Sequence, residues 1–284
     1  MDIYLLFIVI LLVFIFTNKD SQENLTSVIN VKKELKPNEF EIYIIHMKKN
    51  SDRMINFNKY YDISDLSFKK YNIFPAVVGK NINLIDYVSP NGYKQILETE
   101  RTNSRRHHYD LTRGAVGCYL SHLSIYKKIV ESNLDYGIVF EDDSIIANDF
   151  YARLQYGLSV VPDDWDIFLL GVICLKCDID KDYININRFW GTHGYIIKKK
   201  SAEKLLEYLD KPLSKQIDAD MSLLIKRKII KVYAINPIIV SQDTKFFSDI
   251  QSNVIESDEA FNEEFKNQQL MKFYAKNKIE NRNT

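Results

Sequence analysis

An α/β fold on a mostly parallel sheet is what this sequence predicts, and three observations carry that prediction. Short apolar runs at residues 41–46, 138–140 and 165–171 have the length and β-branched content of buried strands. Between them lie segments with apolar residues at helical spacing, clearest at Val116, Tyr119, Leu120, Leu123, Tyr126, Ile129 and Val130. The two patterns alternate, as they do where helical crossovers join parallel strands.

The chain has 284 residues, enough for one large core, and 46% hydrophobic with 27% charged residues places it among ordinary globular proteins. Lys plus Arg equals Asp plus Glu at 38 each, which removes any global argument for nucleic-acid binding. Cys174 and Cys177 form a C-x-x-C at a strand end. Without further ligands at zinc spacing they read as structural cysteines, a disulfide or redox pair being the alternative.

In chain order, residues 3–16 are apolar throughout, bracketed by Asp2 and Lys19. The run falls short of the ~20 residues that span a bilayer, yet no Ala-x-Ala-like cleavage site follows. An uncleaved signal anchor over residues 1–18 is therefore expected, tethering the protein to a membrane by a single pass, with a cleaved signal as the alternative. No basic side chain precedes the run, so charge does not specify its orientation. Residues 19–38 are polar and read as a stem, with one glycosylation sequon at Asn24-Leu25-Thr26. The globular domain is expected over residues 39–256, with a polar tail over 257–284.

Residues 41–46 read as the first strand and run into Asn50-Ser51-Asp52-Arg53, a helix-start cluster. A strand, a short loop and a helix start make an anion-receptive corner. Arg53 would reinforce it by bidentate phosphate contact, or else is simply an ion-pairing residue. Residues 71–78 read as a strand in which Pro75 marks an edge or bulge. Residues 79–110 read as irregular, ending in Arg101, Arg105, Arg106, His107 and His108, either a solvated face or a loop near an anionic ligand. Thr112 is placed to cap the long helix that follows. Gly114 and Gly117 cost helix propensity there, implying close approach of a ligand or a neighbouring strand. Ser121 and His122 sit one turn on. Further strands are expected at 189–197 and 232–240, with one helix capped by Ser201 and another opened by 216–222, whose acids suit the helix dipole.

The chemistry concentrates after residues 138–140, where Glu141, Asp142 and Asp143 follow in succession. Three acids at the carboxyl end of a buried strand repel one another unless a cation sits between them, and hard carboxylate oxygens suit Mn²⁺ or Mg²⁺. Open α/β sheets hold their ligands at that end. A solvated acidic turn is the alternative. In an extended chain Glu141 and Asp143 share one side, leaving Asp142 to point away and orient the loop.

At these residues the chain resembles glycosyltransferase family 25, which includes bacterial lipooligosaccharide galactosyltransferases and collagen galactosyltransferases. The matching segments keep the family's order: 44–53, Phe74-Pro75-Ala76, 112–122, 139–143, Trp165-Asp166 with Leu170-Gly171, 191–195, Ile217-Asp218, 237–242 and Ser248-Asp249. The G-x-x-G-C-x-x-S-H of residues 114–122, followed by the E-D-D, is specific as a pair. The resemblance implies a GT-A-like fold and inverting transfer of a sugar, most often galactose from UDP-galactose. The acceptor would be a hydroxyl of a glycan, lipooligosaccharide or hydroxylysine-type protein. It implies Glu141 and Asp143 as the Mn²⁺ or Mg²⁺ pair, and Arg53, Gly114, Ser121, His122 and Asp142 as donor-site residues. The proton acceptor would be Asp218 or Asp220, with the catalytic domain on the lumenal side of the membrane. One departure is Ala115, where many members carry Glu. Two other classes compete: a non-catalytic relative that binds glycans or nucleotide sugars, and a two-metal phosphoryl-transfer enzyme, which needs further acids on neighbouring strands.

Overall fold

The structure is a computed structural model that describes residues 34–246, 250 and 253–254. It divides into Met1–Glu34 and Leu35–Thr284. The expected anchor, the sequon, Ser248-Asp249 and the tail lie outside the described residues. Among those described, no helix is long and apolar enough to cross a membrane.

The strands are β1 (Phe40–His46), β2 (Asn72–Pro75), β3 (Ser104–Arg105), β4 (Tyr136–Glu141), β5 (Ser144–Ile146), β6 (Ile167–Leu169), β7 (Ile173–Ile179), β8 (Tyr183–Trp190), β9 (Gly194–Lys198), β10 (Val232–Ile235), β11 (Val240–Gln242) and β12 (Asn253–Val254). The α-helices are α1 (Ser51–Ile63), α2 (Pro90–Thr102), α3 (Arg113–Glu131), α4 (Phe150–Val160), α5 (Lys199–Leu209) and α6 (Ile217–Lys226). Eight strands form one sheet in the order β2-β1-β4-β9-β6-β10-β8-β7. The expectation of a mostly parallel sheet is corrected. Within this eight-stranded sheet, parallel pairing is confined to β1 with β2, β1 with β4 and β6 with β10, and the other four pairings are antiparallel. β9 enters antiparallel between β4 and β6, and β8 runs antiparallel to both β10 and β7.

β4 is buried because Ile138, Val139 and Phe140 are wholly enclosed between its two neighbours. Its parallel register with β1 pairs Ile45 with Glu141, so both strands end at the same edge. Pro75 lies in β2, the sheet's outer strand, where a missing donor costs nothing. Residues 79–110 are not irregular throughout. Ser89 caps α2 by accepting the Gly92 N–H at 3.1 Å, and Pro90 occupies its first turn. Ser201 is no cap either: it lies inside α5 and donates to Asp166 at 2.9 Å. The last stem residues belong to the globular unit, since Leu35 is buried and its N–H donates to Gln155 on α4 at 3.0 Å.

Cys174 and Cys177, read as structural cysteines with a disulfide or redox pair as the alternative, are joined in a disulfide. Residues three apart on a regular strand face opposite sides. Here register shifts in the pairing of β7 with β8, around Lys176, bring their Cα atoms to 6.2 Å.

Close packing at the start of α3 explains Gly117. A Cβ there would run into the Val77 carbonyl oxygen and the Gly79 backbone, so the neighbouring loop, not a ligand, demands the glycine. Ser121 reinforces the contact by accepting the Val77 N–H at 2.9 Å while donating to the Gly117 carbonyl at 2.7 Å. Gly117→Ala is expected to lower stability by about 1–3 kcal/mol, as overpacking does. A urea midpoint equal to that of the wild type would contradict this packing.

Candidate active site

The parallel register of β1 and β4 sets three acids at one sheet edge, and the structure gives each a different environment. Asp142 turns toward β1 and α1. Its Oδ2 lies 2.8 Å from His46 Nδ1 and accepts the Met47 N–H at 3.3 Å, while Arg53 donates to Oδ1 at 3.3 Å. Burial holds its carboxyl above the usual range despite His46 and Arg53. This geometry fits a group that orients the β1–α1 loop.

Asp143 faces β11, and Gln242 Nε2 donates to its Oδ2 at 2.9 Å. Arg53 NH1 lies 3.6 Å from the same oxygen, so one guanidinium serves two acids. The other oxygen, Oδ1, is buried without a hydrogen-bond partner. Burial first, and then the Glu141 charge, push the Asp143 carboxyl up to about 7. An orphaned carboxylate oxygen beside a second acid is a donor set that suits a hard divalent cation.

Glu141 accepts a hydrogen bond from the Thr192 hydroxyl at 2.8 Å, and His122 Nε2 lies 3.4 Å from the same oxygen. Burial works to raise the Glu141 carboxyl, but the imidazole and the hydroxyl outweigh it and hold the group below its usual range. His122 is itself fully enclosed, with Nδ1 2.8 Å from the Tyr195 hydroxyl. Cys118 sits one turn earlier on α3, and its Sγ, a His122 ring nitrogen and a Glu141 oxygen lie within 4.8 Å of one another.

The sequence left Asp218 and Asp220 equivalent, and α6 separates them. Asp218 Oδ2 accepts the Gly191 N–H at 3.0 Å and Oδ1 accepts the Ala219 N–H at 2.7 Å. Gly191 has φ +88°, a conformation that favours glycine. Burial raises the Asp218 carboxyl, the two N–H groups oppose this, and the Glu141 charge adds to the rise. Asp218 therefore senses the acidic strand end. Asp220 instead receives the Tyr119 hydroxyl at 3.0 Å and has Lys211 3.9 Å away, a buried tie between α6 and α3.

Arg53, His122, Glu141, Asp143 and Asp218 are thus linked by direct contact or electrostatic coupling. Ser121 is fully buried with its hydroxyl on backbone partners, and Gly114 lies in the first turn of α3. Of the basic cluster, Arg101 pairs with Glu98 on the surface. Arg105 is drawn inside at 2% exposure, donating to the His108 carbonyl at 2.7 Å and sensing the Asp110 and Asp218 charges. His108 packs on Trp190, ring centroids 4.4 Å apart, next to the Gly191 turn. Sequence reasoning missed Cys118, Thr192 and Gln242 as site neighbours. All three lie in segments that match the family, 112–122, 191–195 and 237–242, and Cys118 also shares a helix face with His122 at i and i+4.

Comparison with known proteins places these residues in context. The profile described as "Glycosyltransferase family 25 (LPS biosynthesis protein)" matches residues 40–222. Procollagen galactosyltransferase 1-A of Xenopus laevis is 32% identical over 191 residues, covering 63% of this chain and 30% of that protein. Procollagen galactosyltransferase 1-B of the same frog is 27% identical over 243 residues, covering 76% and 38%. The lipooligosaccharide biosynthesis protein lex-1 of Haemophilus influenzae is 31% identical over 153 residues, covering 47% and 50%. The chain therefore spans about a third to a half of the length of these relatives.

If Asp220 is a structural tie, Asp220→Ala leaves the Tyr119 hydroxyl buried without its acceptor and lowers stability by about 1–3 kcal/mol. Thermal unfolding checks this, and an unchanged midpoint would contradict the assignment.

Proposed function

The chain belongs to glycosyltransferase family 25, and we propose that it is a metal-dependent transferase that moves galactose from UDP-galactose to a hydroxyl group, with inversion. The acceptor is a glycan, a lipooligosaccharide or a hydroxylysine-type protein. The observation that carries the metal-dependent reading is the buried, unpartnered Asp143 Oδ1 beside Glu141. The names of the matched relatives support galactose as the sugar. On this reading the apolar run at residues 3–16 tethers the enzyme to a membrane, with the catalytic unit lumenal.

Glu141 and Asp143 would hold Mn²⁺ or Mg²⁺. Bound there, the ion supplies Lewis-acid stabilisation of the departing nucleoside diphosphate. The protein's own groups do the rest. His122 and Thr192 hold the Glu141 carboxylate in place, and Gln242 does the same for Asp143. Arg53, fixed by Asp142 at the start of α1, adds positive charge where the diphosphate collects negative charge. Asp218 takes the proton of the acceptor hydroxyl, whose oxygen then attacks the anomeric carbon from the face opposite the leaving group. A carboxylate raised by burial is the stronger base, and the Gly191 and Ala219 N–H groups fix its direction.

Asp143→Asn is expected to abolish metal-dependent transfer while keeping the fold, so full activity in that variant would sink the metal assignment. Asp218→Asn should lower kcat by about 10²–10⁴-fold, the usual contribution of a general base, without weakening UDP binding. Incubating the purified protein with a panel of nucleotide sugars, Mn²⁺ and candidate acceptors, and following nucleotide release, tests the whole reading. Mn²⁺-dependent UDP binding without turnover on any acceptor would point to the non-catalytic relative instead.

A further inference from the structure

The residues that face Glu141 from α3 are of the wrong kind for a site devoted to a hard cation. Cys118 offers a thiol and His122 an imidazole nitrogen, both on one face of the helix at i and i+4. Soft sulfur combined with imidazole selects Zn²⁺ and its neighbours over Mg²⁺ or Mn²⁺.

Three observations make this a site and not merely a cysteine near an acid. Three donor atoms, Cys118 Sγ, a ring nitrogen of His122 and a Glu141 carboxylate oxygen, lie within 4.8 Å of one another. His122 Nε2 is buried without a hydrogen-bond partner, although the side chain is wholly enclosed. That nitrogen lies 3.4 Å from Glu141 Oε1. Two ligands of one tetrahedral zinc ion, each about 2.0–2.1 Å from it, stand about 3.3–3.4 Å apart.

The surroundings also match those of metal-binding imidazoles, in which the second ring nitrogen is held by a neighbour. His122 Nδ1 lies 2.8 Å from the Tyr195 hydroxyl, which in turn donates to the Tyr126 hydroxyl at 3.2 Å. Thr192 donates to the same Glu141 oxygen that faces His122 and steadies the carboxylate.

We propose that Cys118, His122 and Glu141 form a three-ligand site for a thiophilic divalent cation of the Zn²⁺ type, with the fourth position open to water or another small ligand. Binding displaces the thiol proton to solvent and forms a metal–thiolate bond, with no change of oxidation state. Because Glu141 is also assigned to the hard cation, occupancy by Zn²⁺ removes a ligand from the Glu141–Asp143 pair. Zinc therefore acts as an inhibitor. The inhibition rests on the transferase reading, whereas the binding site does not.

Co²⁺ titration of the purified full chain, followed by absorbance, separates the two. A thiolate-to-cobalt charge-transfer band should grow to saturation at one Co²⁺ per chain and be bleached by Zn²⁺. Cys118→Ser, nearly isosteric, should lose the band, and Asp143→Asn should keep it. No charge-transfer band in the wild type, a band that survives Cys118→Ser, or a band lost in Asp143→Asn would each overturn the site. In a transfer assay with saturating Mn²⁺, Cys118→Ser should need at least about tenfold more Zn²⁺ for half-inhibition. Equal sensitivity would overturn the inhibitory role, and a protein without transferase activity would leave the cobalt result to stand or fall alone.

Discussion

Carboxylates that end a buried strand have lost much of their water and must be compensated by something else, and most of this site follows from how that is done. Asp142 is answered inside the protein, by His46, the Met47 N–H and Arg53. Glu141 is answered by a hydroxyl and an imidazole. Asp143 is answered only in part, with one oxygen bonded to Gln242 and the other left without a partner. On the proposed reading, the third acid is where a bound cation would complete the compensation. The site depends on the parallel pairing of β1 and β4, because that register brings α1 and its Arg53 to the end of β4.

Much of this was legible in the sequence, for physical reasons. A continuous apolar run has to be buried, so the abrupt change at residues 140–141 marked a strand end with charge at its tip. Thr112 is a strong helix start, and it does cap α3 through the Ala115 N–H. The alternation expected of an extended chain does not extend past Glu141: Asp142 and Asp143 lie in the turn between β4 and β5 and share Arg53.

What the sequence hid is equally specific. The antiparallel entry of β9 is a long-range matter of connection, which apolar periodicity does not encode. Asp218 and Asp220 differ only in which way the first turn of α6 faces, and two residues on a helix point about 200° apart. Ser121 sits in a motif beside His122, yet their neighbouring places on α3 send one to the 77–79 backbone and the other to Glu141. The role of Arg105 depends on burial, and nothing local distinguished it from the exposed Arg101 and Arg106.

The central claim is that the acidic strand end needs a hard cation before it can hold a nucleoside diphosphate. Calorimetric titration of the wild-type protein with UDP, once with Mn²⁺ and once with excess chelator, tests it most directly. The account predicts saturable binding with Mn²⁺ and none, or binding weaker by orders of magnitude, with chelator. Equal affinity under both conditions would contradict it.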